Sequence, residues 1–190
     1  MTVTLVTGPV RSGKSRHAED LLAAHRQVTY LATGPSPTGD PDWAARVEQH
    51  RRRRPPGWAT VESLDVATAV RRARLPLLVD CLGTWLTGLV DACGWEDLSA
   101  ARRTVTRAGT ELLTALEHAT VPVVLVTNEV GWGVVPPSAS GRFFQDELGR
   151  LNAAVSARAR VVHLVVAGRV IDLSSAPLVP DRPVRRTLRA

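Results

Sequence analysis

Five short runs, Val3 to Thr7, Val28 to Ala32, Leu75 to Asp80, Val121 to Thr127 and Val161 to Val166, are rich in valine and leucine and apolar on both faces where they are clearest. A strand with two apolar faces must be covered on both sides, which is the condition of a buried strand in a parallel sheet. Between these runs the period becomes helical. Ser15 to Arg26 reads as a helix. Between Leu98 and His118, Leu98, Ala101, Val105, Ala108, Leu112 and Leu116 form one apolar face, and a further helix is expected from Gly141 to Arg158. Strand and helix in alternation, joined by single-segment crossovers, predict an α/β sandwich around a mostly parallel sheet. The chain has 190 residues, enough for one domain with a full core. No internal repeat interrupts it, and the expected division is a folded domain over residues 1–172 and a Pro/Arg-rich tail over 173–190.

Composition removes several classes of protein. No run approaches the roughly 18 to 20 apolar residues of a membrane helix, and no charged leader precedes an apolar stretch at the start, so a cytoplasmic protein is expected. Cys81 and Cys93 are the two cysteines, with no paired or zinc-like spacing, and are expected as reduced thiols of which at least one is buried. The formal charge is +6 and is concentrated. Arg46, Arg51, Arg52, Arg53 and Arg54 stand against Glu48, a net of +4 in residues 46–54. Arg182, Arg185, Arg186 and Arg189 stand against Asp181, a net of +3 in residues 181–190, which reads as a solvated tail. Such charge suits nucleic acid or phosphorylated small molecules. No nucleic-acid-binding motif accompanies it, so small phosphorylated ligands are expected.

In a parallel α/β sheet, ligands bind beyond the carboxyl ends of the strands. The polar and glycine residues collect there: Gly8 onward after the first run, Thr33 and Gly34 after the second, Asp80 on the third, and Thr127, Asn128 and Glu129 on the fourth. Gly8-Pro9-Val10-Arg11-Ser12-Gly13-Lys14-Ser15 fits the phosphate-loop pattern GxxxxGK[ST], with a strand before it and a helix after it. Its glycines let backbone N–H groups converge on phosphate oxygens, and the helix N-terminus adds a positive dipole end. Lys14 would reach the terminal phosphates and Ser15 would ligate Mg²⁺. Of 24 basic residues, Lys14 alone is lysine, at the one place where a compact ammonium on a flexible stem is needed. Leu77-Leu78-Val79-Asp80 ends in a carboxylate, as expected of the second Mg²⁺ partner.

Asp40-Pro41 reads as a helix start, with Asp40 as N-cap and Pro41 at the first helical position. Trp43, Val47 and His50 then share one face. Arg51 to Arg54 follow directly; their guanidinium groups would hold phosphates and keep an imidazole nitrogen unprotonated, making His50 a candidate nucleophile. His17, His25, His118 and His163 have no such surroundings and read as structural.

These residues resemble a known family. The segments Gly8 to Glu19, Tyr30-Leu31-Ala32-Thr33, Arg46-Val47-Glu48-Gln49-His50-Arg51 with Arg54-Pro55, Trp58 to Glu62, Val79-Asp80-Cys81-Leu82, and Thr127-Asn128-Glu129-Val130-Gly131-Trp132-Gly133-Val134-Val135-Pro136 are similar to those of the bifunctional adenosylcobinamide kinase/adenosylcobinamide-phosphate guanylyltransferases of cobalamin biosynthesis, from about residue 3 to 172. The resemblance implies a RecA-like phosphate-loop NTPase fold and two reactions. The terminal phosphate of ATP or GTP passes to adenosylcobinamide; a histidine then attacks the α-phosphate of GTP, expels pyrophosphate and hands on GMP to give adenosylcobinamide-GDP. The matching histidine is His50. Gly8 to Ser15 would bind GTP phosphates; Thr33, Gly34, Pro35, Arg51, Arg52, Arg53 and Arg54 would line the nucleotide site; Glu62 and Asp80 would contact nucleotide or its Mg²⁺. A closed homo-oligomer, a trimer, is also implied. Pro9 stands where the family has a second glycine, removing one backbone donor, and Asp80 where some relatives carry glutamate. Glu129, at a strand's carboxyl end, is a candidate base for the kinase step. A simple phosphate-loop kinase with no covalent nucleotide is the alternative, and predicts full activity in His50→Ala.

Overall fold

A computed structural model describes residues 2–35 and 39–180 of the chain. In order, its elements are β1 (Val3–Thr7), α1 (Lys14–Leu21), β2 (Val28–Ala32), α2 (Pro41–Arg53), β3 (Trp58–Glu62), α3 (Val66–Arg72), β4 (Leu77–Asp80), α4 (Leu82–Asp91), α5 (Leu98–Glu117), β5 (Val123–Val126), α6 (Ala139–Ser156), β6 (Val161–Val166) and β7 (Arg169–Asp172). Among the described residues seven strands form one sheet in the order β3-β2-β4-β5-β1-β6-β7. Neighbours are parallel throughout except β6 and β7. The mostly parallel α/β architecture expected from the apolar runs is therefore present, as a single domain.

The five anticipated strands all form. β4 and β5 start two residues late, at Leu77 and Val123, because Pro76 and Pro122 have no N–H to give to a ladder. α1 stops at Leu21 rather than Arg26; beyond it, Leu22 and Ala23 donate to carbonyls three residues back, a tightened turn that ends the helix. Two strands escaped the apolar-run reading. β3 lies at the sheet edge with only Trp58 buried, and β7 is exposed along its length. β7 returns from β6 through Ala167 and Gly168, both at positive φ (51° and 73°), the backbone of a two-residue hairpin turn. The short helices α3 and α4 were also not anticipated.

Each face of the sheet carries its own core. Leu31, Leu77, Val79, Val123 and Leu125 point to one face, where Val70, Trp85, Leu112 and Leu148 from α3, α4, α5 and α6 cover them. Val6, Tyr30, Leu78, Val124 and Val126 point to the other, where Ala18 of α1 packs. Residues 173–180 leave β7 largely exposed, and the arginines of the expected solvated tail lie outside the described residues. No helix among the described residues is long and apolar enough to cross a membrane.

Candidate active site

The loop after β1 is shaped by close backbone approach. A Cβ on Gly8 would lie 2.2 Å from the carbonyl oxygen of Val165 in β6, so only glycine fits. The loop then turns through Arg11 at φ 60° and Gly13 at φ 99° into α1. It is tied down by Ser12 N–H to the Pro9 carbonyl (3.3 Å), Gly168 N–H to the Ser12 carbonyl (3.2 Å) and Glu129 N–H to the Gly8 carbonyl (3.1 Å). Gly13 caps α1 without any side-chain hydrogen bond, leaving its first-turn N–H groups directed along the helix axis towards the loop. Lys14 Nζ donates to the Pro9 carbonyl at 3.3 Å.

α2 begins as its sequence predicts: the Asp40 carboxylate accepts from the N–H groups of Asp42 and Trp43, both at 3.0 Å, with Pro41 at the first helical position. Trp43 donates from Nε1 to the Pro35 carbonyl (3.0 Å) and lies so close to Gly34 that a Cβ there would come within 2.6 Å of its ring. The shared face of Trp43, Val47 and His50 turns towards the phosphate loop, and all three line the same cavity as Lys14 and Ser15.

Asp80, at the carboxyl end of β4, is the centre of the polar contacts. Its Oδ2 accepts from the Tyr30 hydroxyl at 2.7 Å and lies 3.4 Å from His50 Nδ1. Burial alone would raise this carboxyl, but hydrogen bonding from His50 and Tyr30, with Ser15 also facing it, outweighs burial and holds it below the ordinary carboxylate range. Burial and the neighbouring carboxylate push the Tyr30 phenol well above its ordinary value.

The four arginines after His50 do not act as one phosphate clamp. Arg51 pairs with Glu62 (3.0 Å) and Arg52 with Glu48 (2.8 Å), and neither lines the cavity. Arg53 and Arg54 do line it. Arg53 forks onto Glu19 of α1, whereas Arg54 stacks its guanidinium 3.4 Å over the Tyr30 ring and donates from Nη1 to Thr60. The reason is helical geometry: successive residues are 100° apart, so four in a row cannot face one ligand.

The cavity is about 420 Å³. It brings together Val10, Arg11, Ser12, Gly13, Lys14, Ser15, Gly34, Pro35, His50, Arg53, Arg54, Glu62 and Asp80 of the residues singled out in the sequence. Gly8 and Pro9 lie behind it as the root of the loop. Thr33 is buried, its hydroxyl bonded to the Cys81 carbonyl (2.7 Å) and to Thr84 (2.8 Å), so it splices β2 to β4. From the segment after β5, Asn128 reaches the cavity, not Glu129, whose carboxylate is engaged by Thr7 and Asn152. Tyr30 and Trp43 are the large aromatic residues of the cavity; the sequence places Trp43 on the His50 face but assigns neither residue a role in the site. Three of the remaining histidines make contacts away from the cavity: His17 and His163 bond to each other, and His118 bonds the Thr114 carbonyl at the end of α5; His25 is exposed. Both cysteines are free, Cys81 buried and Cys93 exposed.

The donor set fits a nucleotide and its cation. Ser12 Oγ in the loop and Arg54 Nε are buried polar atoms with no protein partner, and both belong to residues lining the cavity. A phosphate oxygen would satisfy either. The Ser15 hydroxyl and the Asp80 carboxylate are hard oxygen donors of the kind that hold Mg²⁺ beside substrate phosphates.

Known proteins share both the sequence and the fold. A family profile described as cobinamide kinase / cobinamide phosphate guanyltransferase matches residues 4–173. The bifunctional adenosylcobalamin biosynthesis protein CobU of Escherichia coli is 40% identical over 174 residues, covering 86% of this chain and 95% of that protein. Protein CobP of Pseudomonas aeruginosa, with the same bifunctional description, is 38% identical over 179 residues, covering 92% and 98%. Among solved structures, an ATPase from the type III secretion system of pathogenic bacteria superposes with a TM-score of 0.53 at 11% identity, covering 86% of this chain and 50% of that one, which is a likeness of fold alone. With the phosphate loop, the parallel sheet and this extent of identity together, the chain belongs to the cobinamide kinase / cobinamide phosphate guanyltransferase family.

Proposed function

We propose that this protein carries out two transfers in one cavity. In the first, the terminal phosphate of ATP or GTP passes to the hydroxyl of adenosylcobinamide. In the second, an imidazole nitrogen of His50 forms a bond to the α-phosphorus of GTP as the bond to the β-phosphate oxygen breaks, pyrophosphate leaving with the electron pair. The phosphate of adenosylcobinamide phosphate then displaces the imidazole and takes the GMP, giving adenosylcobinamide-GDP. The observation that carries this reading is that the phosphate loop and His50, 35 positions beyond the loop's last residue Ser15, line the same cavity.

In this mechanism the loop N–H groups, Lys14 and the α1 N-terminus bind the phosphate chain. Ser15 and Asp80 would hold Mg²⁺, which when bound would supply charge neutralisation of the phosphates. Arg53 and Arg54 add cationic character to the wall next to His50. Gly34, Pro35 and Trp43 also line the cavity, and Glu62 supplies an acceptor. The family resemblance further supports a closed trimer in the cytoplasm, which sedimentation equilibrium would check.

The test is incubation with Mg²⁺ and GTP labelled at either the α or the γ phosphate, without acceptor, followed by denaturation. Acid-labile α label that is lost in His50→Ala is expected. GTP binding without any α label would leave the simple kinase as the reading, with His50 a structural residue.

A further inference from the structure

We infer that Tyr30 and Asp80 are the positioning pair for His50: they hold its ring proton on Nδ1, so that Nε2 is the nitrogen that attacks the nucleotide. The inference rests on the guanylyl-histidine reading and goes beyond it by naming the nitrogen and the residues that select it.

The argument is one of proton count. Tyr30 has a single hydroxyl proton and three polar atoms meet there: the phenol oxygen, Asp80 Oδ2 and His50 Nδ1. The phenol oxygen is 2.7 Å from Oδ2 and 3.4 Å from Nδ1. At 2.7 Å two oxygens need a proton between them, so the hydroxyl donates to Asp80. The phenol then turns a lone pair towards Nδ1. Oδ2, itself 3.4 Å from Nδ1, is also an acceptor. A nitrogen facing two acceptors carries the proton, and the neutral ring then has its lone pair on Nε2. Tyr30 is 2% exposed and its ring is clamped by the Arg54 guanidinium at 3.4 Å, so the arrangement cannot relax by rotation into solvent. In the transfer, the Nε2 lone pair forms the N–P bond, pyrophosphate leaves with the electron pair of the broken P–O bond, and the proton stays on Nδ1. The resulting positive ring faces the Asp80 carboxylate, whose Oδ2 also accepts from Tyr30.

Two measurements on the full chain test this. Nitrogen-15 histidine spectra, with the His50 signals assigned by their loss in His50→Gln, read the tautomer directly; the expected result is protonated Nδ1 and bare Nε2. Single-turnover labelling with α-labelled GTP is then compared between wild type and Tyr30→Phe, a change that keeps the buried ring and removes the hydroxyl. A rate about 10- to 100-fold lower is expected, with the GTP dissociation constant unchanged within about twofold, because the hydroxyl orients the nucleophile and does not bind nucleotide. His50 protonated on Nε2, or a Tyr30→Phe rate equal to wild type, would overturn the assignment. Should Tyr30→Phe fail to fold, the wild-type tautomer decides. Wild type that binds GTP and takes no α label overturns the guanylyl-histidine reading and the attack by Nε2 with it, a result distinct from a labelled protein with the wrong tautomer.

Discussion

Arg53 forks onto Glu19, Nε to Oε2 at 3.0 Å and Nη2 to Oε1 at 3.2 Å, and in doing so ties the helix that carries His50 to the helix that opens from the phosphate loop. The Glu19 side chain is 9% exposed and that of Arg53 27%, so the two partners are not equivalent. Arg53→Ala leaves a buried carboxylate unpaired and is expected to cost about 3 kcal/mol. Glu19→Gln keeps an acceptor for the guanidinium and is expected to cost about 1 kcal/mol. Urea unfolding midpoints of the two variants check the order; the reverse order would show that Glu19 is satisfied without Arg53.

Gly8→Ala is expected to destabilise the protein by roughly 3 kcal/mol and to abolish nucleotide binding. Its Cβ would collide with a backbone carbonyl of β6, which cannot step aside as a side chain could. Gly131→Ala is the control: nothing lies within 4 Å of its Cβ, and a change within about 0.5 kcal/mol is expected. Thermal unfolding of both, with GTP titration calorimetry, reads the contrast.

Lys14→Ala is expected to weaken GTP binding by about 10- to 100-fold, the equivalent of one charge-assisted hydrogen bond. Fold stability should change by less than about 1 kcal/mol, since the ammonium works on phosphate. A variant that unfolds, or one that binds GTP as wild type does, would remove Lys14 from the phosphate site.

The pair His17 Nε2 and His163 Nδ1, 2.8 Å apart, packs α1 against β6. Burial, and then the neighbouring His163, lower the pKa of His17, with Asp20 acting weakly the other way. The folded protein thus binds its proton less readily than the unfolded chain does. Stability from this group is therefore constant above the unfolded value of 6.5 and falls as pH drops below it. Melting temperatures at pH 7.5 and 5.5 should differ more in wild type than in His17→Asn; an equal difference would show that His17 does not contribute.

The phosphate loop, the α2 cap and the main strands were legible in the chain because their physics is local. A phosphate loop needs its glycines, lysine and hydroxyl within eight consecutive positions, a cap needs a carboxylate and a proline side by side, and a doubly covered strand is mostly apolar on both of its faces. The edge strands β3 and β7 were not legible, since a strand paired on one side and exposed to water needs no apolar run.

The surroundings of His50 depended on tertiary structure. The arginine run pointed to His50 without showing that Arg51 and Arg52 turn away to Glu62 and Glu48. Tyr30 was legible only as part of a segment similar to the family's: in the sequence it is one aromatic residue in an apolar strand, with nothing to join it to His50. It meets Asp80, 50 positions away, because β2 pairs in parallel with β4 in a register that sets Tyr30 opposite Leu78 and places Asp80 two residues further along the same face. Strand order and register are decided by how the whole sheet packs beneath its helices, and the proton that selects the reactive nitrogen of His50 follows from that packing.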